Sequence, residues 1–440
     1  MPPKFGTSGL RGLVTDLTPD LVAGYTRAFL VACPHGGAVH VGQDLRASSP
    51  DIAASVIAAV RGMGLRAIDH GALPTPALAL ASMGAGQAAI MVTGSHIPAD
   101  RNGLKFYRRD GEFDKADEAR LTAAAGEISV LADITPNIVQ GDAAQGYVSR
   151  YRAYFGKRAL QGLRIGFWGH SSAALDILPA ALDGLGAETV TLGVTPDFVA
   201  VDTEALDPEV RAEFAEWSAT HMLDAIVSTD GDADRPLFAD GRGTVIPGDI
   251  LGPITAEILG ATHVVTTVSA NTLVDRMGVF EEVTRTKIGS PYVIEEMAAR
   301  AGRKVIGYEP NGGFLLGFEA SSGPGRLPPL MTRDAVLPMV ATLVAARGAG
   351  GMASLIKALP MRRTATDRLQ DVPREVSLRL AEALLNGDTG ILPDELGSPV
   401  STDTTDGARL TFAGGEIVTI RPSGNAPELR VYVEAESGRK

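Results

Sequence analysis

The sequence predicts an α/β protein in which one α/β unit recurs and a small α+β region ends the chain. Three observations carry this. Of the 440 residues, 45% are hydrophobic but only 5% are aromatic, and glycine occurs 51 times. That composition favours closely packed α/β layers over aromatic-rich β sandwiches. A strand-helix-strand rhythm appears early and returns. The last part of the chain instead alternates short strands with Gly-rich turns. At roughly 100–200 residues per domain, the length predicts three or four domains.

In chain order, HVGQD (40–44) reads as a strand and SSPDIAASVIAAVRGMG (48–64) as a serine-capped amphipathic helix. LRAIDHG follows as a strand, and QAAIMV as a buried one leading into TGSHIPADRNGLKF (93–106). The rhythm returns with RIGFWG (164–169) as strand, SSAALDILPAALDGLG (171–186) as helix and AETVTLG (187–193) as strand. RGMGLRAIDHG (61–71) and DGLGAETVTLG (183–193) align with their glycines 122 residues apart, and Ser49 and Ser171 share that offset. A weaker echo starts at HVVTTVSANTLV (263–274). Such spacing predicts duplication of a whole α/β domain. The helix REVSLRLAEALLNG (374–387) and the strands of RLTFAGGEIVTIRPSGNAPELRVYVEA (409–435) form the α+β region. The expected domains are 1–150, 151–252, 253–362 and 363–440.

Composition excludes several functions. A net charge of −12 argues against nucleic acid, which needs a basic face. An anionic small substrate is compatible if cations gather locally. Cys33 is the single cysteine, so there is no disulfide framework and no Cys-based zinc site. MPPKFGTSG lacks an apolar signal region, and Gly71–Val92 is broken by prolines and glycines. The expectation is a soluble cytoplasmic protein with no membrane partner.

Four short stretches could carry chemistry. Ser95 follows a buried strand, with His96 beside it and Lys105 ten residues on. A serine hydroxyl is a poor nucleophile unless a base takes its proton or it already carries the group to be transferred. The plainer reading is a capping or turn serine. In STDGDADRP (228–236), Asp230, Asp232 and Asp234 alternate after a strand, so an extended segment would point all three carboxylates one way. A hard divalent cation such as Mg²⁺ would relieve their repulsion. An EF-hand is ruled out by Arg235 at position six and Gly241 at position twelve, and a solvated acidic turn is the alternative. RPSGNAP (421–427) combines a guanidinium, a hydroxyl and a glycine turn into a phosphate cradle, or is simply a hairpin loop. In GYEPNGG (307–313), Glu309 and Asn311 could bond sugar hydroxyls, although Pro-Asn-Gly-Gly is also plain turn chemistry. FWGHSSA (167–173) nearly spells a hydrolase nucleophile elbow but ends in Ala173, so Ser171 or Ser172 reads as a helix N-cap.

These four motifs, in this order and preceded by FGTSGLRG (5–12), resemble the α-D-phosphohexomutase family of phosphomannomutases, phosphoglucomutases and phosphoglucosamine mutases. The resemblance covers nearly the whole chain. It implies three related α/β domains, with mixed sheets flanked by helices, around a central cleft closed by a C-terminal α+β domain. It implies that Ser95 is a phosphoserine and that Asp230, Asp232 and Asp234 hold one Mg²⁺ together with Ser95 and its phosphate. Glu309, with Asn311, would contact the sugar. Arg421, Ser423, Gly424 and Asn425 would grip the unreactive phosphate. Arg11, His96, Lys105, Arg235 and Lys287 would line the cleft, with Lys105 favoured over His96 for moving the proton. The implied reaction interconverts hexose 6-phosphate and hexose 1-phosphate through a 1,6-bisphosphate, which also serves as activator. The chain departs from the family's usual pattern at Tyr308 and Asn311, and at Asn425-Ala426-Pro427. Mannose phosphate is the leading substrate, then glucose and glucosamine phosphates. A phosphatase and a non-catalytic sugar-phosphate sensor are the other classes. The expected assembly is a monomer or homodimer.

Overall fold

The computed structural model describes residues 3–6, 9–124, 138–360, 362–423 and 428–436. The strand Ala88–Val92 is Ala-Ala-Ile-Met-Val, buried at every position. A continuous apolar run of this kind belongs to a central strand covered on both faces. Ala38–Gln43 runs parallel beside it and pairs in turn with parallel Arg66–Ala72, and Arg101–Arg108 returns antiparallel on the other side. The second sheet orders its strands Glu188–Val194, Arg164–His170, Ala225–Thr229, Pro236–Asp240, Val245–Ile246. The third runs Glu282–Thr286, His263–Thr267, Val305–Tyr308, Phe314–Leu316, Leu330–Asp334. All three sheets share one path: second strand, first, third, then an antiparallel fourth. The glycine-anchored repeat in the sequence is this shared path. The last sheet differs in being wholly antiparallel. The helix Arg374–Leu385 covers one of its faces, with Ala381 and Leu384 in the same cluster as Leu410, Phe412, Val418 and Ile420.

Two local expectations are corrected. The helix in the second unit begins only at Ile177, with Asp176 at the N-cap position but making no side-chain cap. Ser171 and Ser172 are therefore not N-caps. Ser171 Oγ accepts the Val199 amide at 2.8 Å, and Ser172 Oγ meets Thr229 Oγ1 at 2.6 Å. The Ala173 amide bonds the carbonyl of Gly231. These groups are committed to neighbouring loops, which delays the helix. Ser48 does precede the helix Ser49–Gly62 but makes no side-chain cap, because its Oγ accepts from Asn102 instead.

One apolar cluster runs through all three α/β units, from Leu78 and Met91 through Phe167 and Val227 to Tyr308 and Val340. Within it the phenols of Tyr147 and Tyr151 both donate to buried Asp334, at 2.7 and 2.8 Å. The amides of Val336 and Leu337 also donate to the carboxylate, and the Arg150 guanidinium lies 3.8 Å from it. A satisfied buried network of this kind fixes the helix Ala143–Phe155 against the strand Leu330–Asp334, which also carries Arg333. Among the described residues no single helix is long and apolar enough to cross a membrane.

Candidate active site

The serine loop leaves the strand Ala88–Val92 and returns on Arg101–Arg108, with Met91 opposite Lys105. Ser95 is buried and sits at φ 53°, left-handed backbone that a non-glycine residue keeps only when its surroundings enforce it. The enforcement is visible. The Ser95 amide donates to Thr93 Oγ1 at 2.7 Å, and Thr93 Oγ1 donates to Asp44 at 2.7 Å. Arg46, 1% exposed, spreads its guanidinium over four carbonyls: Ser95 at 2.9 Å, Ile97 at 2.6 Å, Pro98 at 2.7 Å and Arg101 at 2.8 Å. Its Nε pairs with Asp44 at 3.1 Å. Position 94 must be glycine, because a Cβ there would meet the Arg46 guanidinium carbon at 2.5 Å.

The aspartate loop follows the buried strand Ala225–Thr229. Asp230, Asp232 and Asp234 do converge, each offering an oxygen within 4.8 Å of the others. The route is not the extended one expected from alternation. The chain turns, with Ala233 at φ 55° and the Asp230 carboxylate accepting the amides of Asp234 and Arg235. An extended run would have spread alternate side chains about 6–7 Å apart; the turn gathers them.

The two loops meet directly. Ser95 Oγ donates to Asp230 Oδ2 at 2.6 Å. Lys105 Nζ reaches Asp232 at 2.5 Å and Asp234 at 2.6 Å. Thr75 donates to Asp232 and Arg333 to Asp234. Burial and the charges of Asp232 and Asp234 push the Asp230 carboxyl up. For Asp232 burial works the same way, but the Lys105 ammonium and its hydrogen bond win and hold the carboxyl below the usual range. Asp234 is likewise held down, chiefly by Arg333 against its burial. Oδ1 of Asp232 and Oδ1 of Asp234 are buried with no hydrogen-bond partner. An all-oxygen donor set with unpartnered buried carboxylate oxygens fits a hard divalent cation.

Arg11 lies in the field of Asp232 and Asp234, with burial lowering its guanidinium to about 10. Arg235 is 3.9 Å from Asp234. His96 Nδ1 is 3.5 Å from Ser95 Oγ. Arg235, and then burial, hold that imidazole neutral, down to about 3.

The loop 307–313, the candidate sugar loop, packs on the start of the helix Gly248–Leu259, so closely that a Cβ on Gly248 would meet the Gly312 amide at 2.3 Å. Glu309 and Asn311 are both buried. Asn311 Oδ1 accepts the Gly313 amide at 2.9 Å, so part of its capacity holds its own turn. Arg333 joins this loop to the aspartates: one guanidinium nitrogen is 2.7 Å from Asp234 and another 3.5 Å from Glu309. At the far end, Arg421 pairs with Asp406 at 3.1 Å, and the same carboxylate oxygen accepts the Ile288 amide. Asp406 thereby ties the loop of Lys287, itself exposed, to Arg421. The Ser423 amide bonds the Glu428 carbonyl. Gly424 and Asn425 lie outside the described residues.

Sequence reasoning missed Asp44, Arg46 and Arg333. Asp-Leu-Arg at the end of the strand Ala38–Gln43 was a readable signal. Arg333 had none, because it sits inside the strand Leu330–Asp334.

Family models for the phosphoglucomutase/phosphomannomutase alpha/beta/alpha domains I, II and III match residues 2–130, 145–243 and 247–362, and that for the C-terminal domain matches 367–440. A phosphomannomutase of Sinorhizobium fredii is 45% identical, with 99% of this chain and 96% of the relative covered. A phosphomannomutase of Salmonella muenchen is 41% identical, over 99% of this chain and 92% of the relative. The crystal structure of a phosphoglucomutase/phosphomannomutase family protein from Burkholderia thailandensis has the same fold, with a TM-score of 0.78 at 20% identity, covering 98% of this chain and 93% of that one. The repeated sheet path, the loops converging on Ser95 and four consecutive domain matches lead to one conclusion: the chain belongs to the phosphoglucomutase/phosphomannomutase family.

Proposed function

We propose that this chain is a phosphohexomutase acting on mannose phosphate, with Ser95 as the phosphate carrier. The observation that carries the reading is the Ser95 hydroxyl 2.6 Å from Asp230, beside a cluster of three carboxylates and Lys105. Mannose is supported by the relatives: two named phosphomannomutase are 45% and 41% identical, while one named probable phosphoglucosamine mutase is 29% identical.

Phospho-Ser95 passes its phosphoryl group to the free hydroxyl of a hexose monophosphate and gives a 1,6-bisphosphate. This turns over in the cleft, and the other phosphate returns to Ser95. A trace of the bisphosphate primes unphosphorylated protein. Asp230, Asp232, Asp234 and Ser95 would hold one Mg²⁺, which offsets charge on a transferring phosphoryl group when bound. The protein's own part is positioning and charge. Arg46 fixes the serine loop, and Arg11 and Arg235 supply positive potential. Lys105, favoured over His96, passes the proton between the reacting sugar hydroxyl and Ser95 Oγ; His96, held neutral, can accept a proton but is a poor donor of one. Glu309, with Asn311, orients the ring. Lys287, Arg421, Ser423, Gly424 and Asn425 retain the distal phosphate. Residues 1–150, 151–252, 253–362 and 363–440 each contribute one loop.

A coupled assay with mannose 1-phosphate, Mg²⁺ and a trace of hexose 1,6-bisphosphate tests this. Isomerisation is expected in the native chain and none in Ser95→Ala. Substantial turnover by Ser95→Ala would end the carrier role, and net phosphate release would make the chain a phosphatase.

A further inference from the structure

The segment between the strand Glu188–Val194 and the helix Pro208–His221 is none of the four loops above, yet it meets two of them and the arginine that holds a third. The Phe198 ring lies 3.9 Å under the Arg46 guanidinium, which holds the Ser95 carbonyl. A Cβ on Gly231, inside the aspartate loop, would meet Phe198 at 2.9 Å. Thr203 Oγ1 donates to the Asn311 carbonyl at 3.1 Å. A segment anchored at three such points presents its side chains in fixed places.

Glu204 comes next. Its amide donates to Asp202 Oδ1 at 3.0 Å. Its side chain lines a cavity of about 240 Å³ with Pro310 of the sugar loop and Thr419 and Tyr432 of the C-terminal sheet. Thr419 and Tyr432 are cross-strand partners, and the pair two residues further along is Arg421 with Arg430. The cavity therefore adjoins the distal-phosphate end. Besides neighbouring Asp202, the charges that reach the Glu204 carboxyl are Arg235 from the aspartate loop, Glu309 from the sugar loop and Arg430. These are the three sides between which a hexose ring must lie if one phosphate is at Ser95 and the other at Arg421. Glu204 is exposed at the lining of the cavity, where its carboxylate is free to accept a hydrogen bond from a hydroxyl. A further polar contact is also needed, because Asn311 already uses its Oδ1 on Gly313.

The geometry points to Glu204 as a sugar-contacting residue that hydrogen-bonds a ring hydroxyl beside Glu309 and helps to decide which hexose phosphate is accepted. This rests on the mutase reading. The test separates the two by measuring binding without turnover. Ser95→Ala protein is titrated calorimetrically with mannose 6-phosphate and with its 2-, 3- and 4-deoxy analogues, with and without Glu204→Ala. Glu204→Ala is expected to weaken mannose 6-phosphate about tenfold or more, the weight of one hydrogen bond to a charged group. One deoxy analogue, lacking the hydroxyl that Glu204 reads, is expected to bind both proteins equally. Glu204→Gln, which keeps the hydrogen-bonding capacity, is expected to restore most of the affinity. A loss below about threefold, or the same loss for every analogue, overturns the assignment, since a purely electrostatic or structural role would not distinguish hydroxyls. Failure of the native chain to isomerise any hexose phosphate would instead sink the mutase reading and leave this binding result standing.

Discussion

Arg46→Met is the sharpest probe of how the serine is held. The native guanidinium sits over four carbonyls at 2.6–2.9 Å and pairs with Asp44, at 1% exposure. Removing one member of a buried pair costs about 3–5 kcal/mol. The lower end applies here, because Asp44 keeps the hydroxyls of Ser49 and Thr93 and the Gly94 amide. The carbonyls of Pro98 and Arg101 belong to exposed residues and can turn to water, but Ser95 is buried. Without the fork, Ser95 is free to leave its left-handed conformation, which stores about 1–3 kcal/mol. A reacting oxygen displaced by about 1 Å loses on the order of 100-fold in rate. The expected result is kcat lower by roughly 100-fold with KM little changed, because the distal phosphate is held elsewhere. Arg46→Lys keeps the charge but cannot span four carbonyls, so it recovers only part of the loss. Steady-state kinetics with mannose 1-phosphate, and phosphorus NMR of the phosphoserine, check this. A kcat within about threefold of native in Arg46→Met would refute the positioning argument.

Arg421→Ala is expected to raise KM tenfold or more at nearly constant kcat, from the loss of about 1.5–3 kcal/mol of charge-assisted bonding; an unchanged KM removes the phosphate-grip assignment. Chelation is expected to abolish isomerisation and added Mg²⁺ to restore it, and full activity in excess chelator would discard the metal. Buried His170 donates from Nε2 to the Thr229 carbonyl, and burial lowers its imidazole to about 4 from 6.5. The folded chain thus refuses a proton that the unfolded chain takes. Stability is full above pH 6.5 and falls by about 3 kcal/mol as pH drops towards 4. His170→Asn, suited to the positive φ at that position, should remove this part of the acid slope in urea melts, and an unchanged slope would refute the linkage.

The fold was legible because its signals are local: continuous apolar strands, glycines at repeated offsets and a hairpin-rich tail. The candidate site was legible where chemistry is crowded into a few consecutive residues, as at Ser95 and at Asp230 to Asp234. What escaped was whatever depends on two distant segments meeting. Ser171 and Ser172 looked like helix caps because their partners, Val199 and Thr229, are 28 and 57 residues away. Arg333 reads as one residue of a buried strand until Asp234, 99 residues earlier, is found beside it. The aspartates converged as expected, but through a turn, because alternation says which way side chains point and not whether the chain stays straight.

The three α/β units share one apolar cluster, braced by two tyrosines on Asp334, whereas the C-terminal sheet keeps a core of its own. Three walls of the cleft are therefore one mechanical body, and the fourth is a second body joined to it through a largely polar interface. Such an arrangement separates two demands that an intermediate-flipping enzyme places on its scaffold. The arrangement predicts that the reacting end stays rigid while the gripping end opens and recloses, and that in a melting experiment the fourth domain comes apart as its own cooperative step.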